Sequence, residues 1–405
     1  MNKVKFLQKG VKRATPLFFN FGLAFIYSVL LSRFMTVSDR GELYEYQIIA
    51  LLCGSFSSMS IPQAVTVSIK QDKRINFSFF ISYLISGFAL SALFSWLMIS
   101  LWYPEKSFIF LFLMSYGTML TIGFMEFFKI NKDFKSFSTA YAMIPVVGFG
   151  VALLLMFGVQ ASLFNALLLW ICFQLIIFFV FLRLFVREYE LVKDEDALSF
   201  KDRSFLLTSI KLLGLKTIGA LSQNIDKLTF SAVATPATSG LYAVCMSLES
   251  ISTRSFRFMA DYLYSQYINH DKKLTRPVLQ VSVLALIIGV IGVGISYLLG
   301  KFLIVLLFGA KFIEAAIFLP IIIVNSVLSG WVLMLTQLNL SEKRFKFIYF
   351  RQLSGLFLFL LLVYVVFQPS TPMTIIQSAL IVSFFKLVIS VIECIYSSNK
   401  LKSIK

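Results

Sequence analysis

The chain has 405 residues, 58% of them hydrophobic and 14% charged, with a formal net charge of +17. That balance does not suit a soluble globular protein. The positive charge needs no nucleic acid to account for it, because most of it lies in short basic segments between apolar ones.

The N-terminal segment carries Lys3, Lys5, Lys9, Lys12 and Arg13 and is expected to lie on an anionic inner leaflet. Apolar stretches then follow one another from Ala14 to Ile395. Each is long enough to cross a hydrocarbon layer of roughly 30 Å as a helix. The predicted spans are 14–35, 42–66, 75–102, 107–128, 134–157, 161–186, 205–234, 239–267, 277–300, 314–340, 346–367 and 373–396. The first is too long for the apolar region of a signal peptide and no A-x-A site follows it, so it reads as a retained span. Of the 37 Lys and Arg residues, 25 fall at the two termini or at the even-numbered loops and their edges. Five, Arg33, Arg40, Lys106, Lys301 and Lys311, fall at the odd-numbered ones, and the other seven lie inside spans. This bias places both termini in the cytoplasm.

The longest stretch outside the spans, Arg187 to Ser204, is too short for a folded domain, which needs about 50 residues. That excludes a membrane-tethered enzyme with a soluble catalytic head. Cys53, Cys172, Cys245 and Cys394 are isolated and fall within spans, where they read as buried small residues. The one histidine, His270, sits in a basic loop, so no His-based catalysis or metal site is expected at mid-membrane. No G-x-x-x-x-G-K-[ST] motif is present. The expectation is therefore no catalytic residue, no cofactor and no metal.

The halves look related. Gly41 precedes Asp72 by 31 residues, as Gly240 precedes Asp271. Glu126 precedes Phe134 by 8, as Gln337 precedes Phe345. Six spans per copy make the repeats parallel, an arrangement that recurs in transporters with a site between two bundles. The fold class expected is all-α integral membrane, with about twelve transmembrane helices in two parallel six-helix repeats around a central cavity. The expected lobes are 1–199 and 200–405.

Ionisable residues inside spans cost about 2.5–3.5 kcal/mol each at a helix centre and normally face protein or water. In the eighth span Ser247, Ser250, Arg254, Arg257, Asp261 and Ser265 recur every three or four residues and share a face. In the seventh, Lys216, Gln223 and Lys227 share a face, with Asp226 beside them. Arg257 and Asp261 are an i, i+4 pair, and Lys227 could meet Glu249. Lys211, Lys216 and Arg254 have no obvious acid in this hairpin. Two readings stay open: a cationic, water-accessible cavity for an anionic headgroup, or structural pairing with snorkelling at the interface. Arg351 is expected to snorkel, and Lys386 and Glu393 to form a second polar patch or hold the bundle together.

Asn224-Ile225-Asp226-Lys227, Ser239-Gly240-Leu241-Tyr242-Ala243 and Leu307-Phe308-Gly309 with Phe312 and Ala315-Ala316 carry a resemblance, and Arg40-Gly41-Glu42-Leu43-Tyr44 adds a looser match. The chain resembles the polysaccharide flippases (Wzx, O-antigen and teichoic-acid exporter type) of the multidrug/oligosaccharidyl-lipid/polysaccharide exporter superfamily. The resemblance implies two six-helix lobes around a cavity that rocks between inward and outward access. It implies movement of an undecaprenyl-diphosphate-linked oligosaccharide to the outer leaflet of the bacterial cytoplasmic membrane. The implied substrate-binding residues are Arg254, Arg257, Lys216 and Lys227, supported by Asp261, Gln223, Asp226 and Ser250. The implied partners are the lipid-linked substrate, membrane lipids and polysaccharide polymerase machinery. Two departures narrow it. The two additional helices of lipid II flippases are missing, which argues against that substrate. The first span has no acidic residue in its core, which argues against cation-coupled drug efflux.

That rival, a cation-coupled small-molecule exporter, would show in drug resistance that depends on a sodium or proton gradient. A membrane-embedded polymerase or acyltransferase would need a longer outer loop or a catalytic histidine.

Overall fold

A computed structural model describes residues 22–69, 74–128, 135–157, 161–188, 190–192, 203–269, 275–341, 344–368 and 371–403. The chain divides into two compact units, Met1–Ala220 and Leu221–Lys405. Almost every described residue is helical.

In the first unit the helices are α1 (Gly22–Phe34), α2 (Val37–Ser57), α3 (Ile61–Ile69), α4 (Phe77–Leu101), α5 (Phe108–Phe128), α6 (Lys135–Phe157) and α7 (Leu163–Glu188). Helix α8 (Arg203–Val233) passes through the boundary between the units. The second unit continues with α9 (Pro236–Asn269), α10 (Thr275–Phe308), a 3-10 turn (Ala310–Ile317), α11 (Leu319–Ser341), α12 (Phe345–Leu361) and α13 (Pro372–Ser403). Strands β1 (Arg74–Asn76) and β2 (Glu190–Val192) pair in parallel, with Arg74 opposite Glu190. This pairing brings the segment before α4 beside the segment after α7. Helix α12 ends in a wide turn over Leu362–Val366, where the Phe367 N–H donates to Leu362 O at 2.9 Å.

Among the described residues, seven helical segments are long and apolar enough to cross a membrane: Phe77–Leu101, Phe108–Phe128, Leu163–Arg187, Gly289–Phe308, Leu319–Gln337, Phe345–Val366 and Pro372–Ile395. They carry large apolar side chains on their outer surface, among them Phe179, Tyr297, Leu298, Phe357 and Val365. Such a surface needs lipid around it. The protein is a multi-pass membrane protein.

Lipid gives helices no hydrophobic reason to associate, so packing must hold each unit together. In the first unit Phe124 lies 5.5 Å from Phe185 and 6.2 Å from Phe181, and Phe80 stacks on Phe185 at 4.8 Å. Gly54 lets α2 approach α5 closely, for a Cβ there would stand 2.7 Å from Ser115 O. Asn76 caps α4 by accepting from the Ser78 N–H at 2.8 Å, and Thr36 caps α2 by accepting from Asp39 N–H at 3.0 Å.

The predicted span 42–66 is not one helix. It breaks at Ser58-Met59-Ser60, where Met59 (φ 45°) and Ser60 (φ 54°) take left-handed conformations. That costs each of these side chains roughly 1 kcal/mol. Pro62, which has no N–H to give the Ser58 carbonyl, removes the ordinary helical bond there. Ile61 N–H donates to Ser58 O at 3.0 Å instead. The Ser58 hydroxyl donates to Ser55 O at 2.8 Å, and Ser209 on α8 donates to Met59 O at 3.1 Å.

Candidate functional site

The candidate residues fall in both units, and each unit has its own polar centre. In the first, Lys216 on α8 donates from Nζ to the Ser58 hydroxyl at 2.7 Å. Its charge therefore sits at the C-terminal end of α2, where the helix dipole favours a cation. The break in α2 thus has a lysine built onto it.

In the second unit, Lys227 lies 3.6 Å from its neighbour Asp226 and donates to Gln223 O at 2.8 Å. It interacts electrostatically with Glu249 but makes no ion pair with it. Glu249 instead accepts from the Thr253 hydroxyl, and Thr253 meets Ser326 on α11 at 3.2 Å. Helices α9 and α11 come close because residue 330 is glycine: a Cβ there would stand 2.2 Å from Phe256 Cγ. Ser247 and Ser250 turn back onto their own helix, donating to Ala243 O and Ser247 O. The backbone of Arg254, Arg257 and Asp261 belongs to α9, and their side chains lie outside the described residues. Gln223 is exposed.

A further polar layer joins α8, α11, α12 and α13. Lys386 on α13 donates to the Ser222 hydroxyl at 2.8 Å and to Ser222 O at 3.2 Å. It packs over Gly355, where a Cβ would stand 2.2 Å from Lys386 Cε. Asp226 and Lys227 both act on Lys386 electrostatically. Ser383 donates to Asn325 Oδ1 at 2.5 Å.

Arg351 does not snorkel. It is buried, 2% exposed, and its Nη1 lies 2.6 Å from Glu393 Oε2. It also donates to Ser390 at 2.8 Å and to Thr336 at 2.6 Å, while Asn339 donates to the same Glu393 oxygen at 2.9 Å. Depth from the helix end suggested snorkelling, but the acid 42 positions further on supplies a buried partner. Cys172 is exposed, against the expectation of four buried thiols; Cys53 and Cys245 are buried.

The seventh and eighth spans were legible as polar from their charges. Thr253, Ser326, Ser222, Asn325 and Ser383 were missed, because hydroxyls and amides in an apolar helix stand out only once the facing helix is known. The assembled groups are donors and charges suited to holding an anion or a cation. Among the described residues no three His, Cys, Asp or Glu side chains gather as a metal site.

No known protein family matches the chain by sequence, and no curated protein matches it. Solved structures do. The chain is similar to the lipid II flippase MurJ in an inward closed conformation, with a TM-score of 0.72 and 13% identity, over 95% of this chain and 87% of that one. It is similar to an inward-facing multidrug resistance MATE family transporter of the MOP superfamily, with a TM-score of 0.56 and 14% identity, over 95% and 94%. A MATE in complex with MaD3S gives 0.57 and 13%, over 97% and 96%. At such identities the likeness shows the fold, which is that of these transporters.

Proposed function

We propose that the chain is a flippase for an undecaprenyl-diphosphate-linked oligosaccharide, moving it from the inner to the outer leaflet of the bacterial cytoplasmic membrane by alternating access. The observation that carries this reading is a surplus of cations within the seventh and eighth predicted spans. Between residues 205 and 267 stand five basic residues, Lys211, Lys216, Lys227, Arg254 and Arg257, against the acids Asp226, Glu249 and Asp261. A low-dielectric cavity focuses such a surplus on an anionic headgroup. Arg254 and Arg257 would grip phosphate bidentately, Lys216 and Lys227 would add point charge, and Asp261, Gln223, Asp226 and Ser250 would support them. The likeness in fold to a lipid flippase supports the substrate class.

The proposed topology has twelve spans in two parallel six-helix repeats, lobes of 1–199 and 200–405, and both termini in the cytoplasm. The five segments beyond the seven apolar ones correspond to α1, α2 with α3, α6, α8 and α9. The pairing of β1 with β2 supports the alternation, since both strands lie at even-numbered loops. Reporters fused after Val159, Thr238 and Ser370 are expected outside, and those after Asp133, Asp194 and Lys343 inside. Alkaline phosphatase activity at residue 194 would refute the topology.

Purified protein in liposomes is expected to expose a polyprenyl-diphosphate-linked glycan to a lectin on the opposite face. Equal exposure in protein-free liposomes would remove the flippase reading. The likeness to MATE transporters supports a second reading, a cation-coupled small-molecule exporter. Drug resistance that collapses with a sodium or proton gradient, without any glycan movement, would favour it.

A further inference from the structure

Arg40, the fourth residue of α2, is 4% exposed. Its Nε donates to the Ser32 hydroxyl and its Nη2 to the Ser28 hydroxyl, each at 3.2 Å, and both serines belong to α1. Its Nη1 has no hydrogen-bond partner among the described residues. The other groups that act on it electrostatically are the phenols of Tyr27 and Tyr44, which are neutral near pH 7, and no carboxylate among the described residues does so.

The lack of an acid is not a lack of acids nearby. Glu45 lies on the same helix, but five residues on and so roughly 140° around it. It pairs with the buried Lys106 at 2.6 Å, and Glu42 also approaches Lys106, at 4.0 Å. Glu45 and Glu42 thus face another cation on another side of the helix, and Asp39 does not act on Arg40. Nor does helix stability explain Arg40, since a cation in the first turn opposes the helix dipole. A buried charge held only by neutral hydroxyls is costly unless something anionic compensates it.

We propose that Arg40, with Ser28 and Ser32, forms an oxyanion subsite in the first unit for a group of the phosphate class. Nη1, which has no partner among the described residues, and Nη2, now bonded to Ser28, suit bidentate contact with a phosphoryl group. An anion entering between α1 and α2 displaces one rotatable hydroxyl, which is neutral and small. This subsite lies outside the cationic surplus of α8 and α9 and stands without the lipid-linked reading.

The test is the melting temperature of the full-length protein in neutral detergent, titrated with inorganic pyrophosphate and separately with phosphatidylglycerol in mixed micelles. Wild-type protein and an Arg254→Ala/Arg257→Ala variant are both expected to be stabilised, and adding Arg40→Met to that variant is expected to abolish the shift. Stabilisation by pyrophosphate assigns a diphosphate group. Stabilisation by phosphatidylglycerol alone assigns a membrane-lipid phosphate. Arg40→Met removes a lone buried charge and should itself melt no lower than wild type. If it yields no folded protein, Arg40→Lys decides, with half-saturation expected to be roughly tenfold weaker because the fork is lost. No shift with either probe, a shift that survives Arg40→Met in the Arg254→Ala/Arg257→Ala background, an unchanged half-saturation for Arg40→Lys in that background, or loss of the shift in Arg254→Ala/Arg257→Ala itself would overturn the subsite. Flippase activity is read separately, by glycan exposure in liposomes, so either result can fail alone.

Discussion

Replacing Arg351 by alanine is expected to cost about 3–5 kcal/mol of stability, the usual penalty for leaving one member of a buried ion pair alone. Glu393 would keep only the Asn339 amide on Oε2, and its Oε1 already has no hydrogen-bond partner. Thr336 and Ser390 would lose their donor from Arg351 as well. Because the network ties α11, α12 and α13 together, the damage should spread through the second unit. Glu393→Leu should be similarly harmful, since it strands a guanidinium at 2% exposure. The double variant Arg351→Met/Glu393→Leu removes both charges and should recover most of the loss. Melting temperature in detergent and abundance in the membrane measure this. Single variants as stable as wild type would mean that the pair does not hold the three helices.

The contrast between Arg351 and Arg40 shows what the sequence could and could not disclose. Long apolar runs between basic clusters place helix ends closely: 107–128 was predicted where Phe108–Phe128 is found, and 75–102 where Phe77–Leu101 is found. Hydropathy reads a segment by its own composition, and lipid imposes that composition directly. The break at Met59 and Ser60 escaped it, because left-handed residues change no hydropathy. The signal was local and chemical: Ser57-Ser58-Met59-Ser60 followed by Pro62.

Partners across helices are a different kind of information. Arg351 meets an acid 42 residues away, and Lys386 meets Ser222, 164 residues away. Neither distance is encoded in the periodicity of one helix. Arg40 reads as a loop-edge cation because it falls between the predicted spans 14–35 and 42–66, yet its hydrogen-bond partners Ser28 and Ser32 lie on α1. The spacing of those serines, four apart on one face, was the available clue. Lys216 shares a face with Gln223 and Lys227 by spacing, but what it touches, Ser58, depends on a break in α2 that hydropathy does not show.

Arg254→Ala and Arg257→Ala are each expected to abolish or strongly reduce surface polysaccharide while the protein inserts at normal levels. If these arginines hold a diphosphate, removing either takes away charge and a bidentate contact at once. Arg→Lys at either position should keep part of the activity, because the charge remains and the fork does not. Asp261→Asn should be milder, since losing an acid leaves the cavity more positive. Structural pairing predicts a different order. Breaking an Arg257–Asp261 pair from either end would leave a buried charge uncompensated. Arg257→Ala and Asp261→Asn would then both lower abundance, and the double variant would recover some of it. Abundance and surface polysaccharide measured on the same cells separate the two. Loss of protein in both single variants, with rescue in the double, would count against the cationic cavity. Loss of polysaccharide at constant abundance in both arginine variants, with activity kept in Asp261→Asn, is the pattern that a diphosphate grip requires.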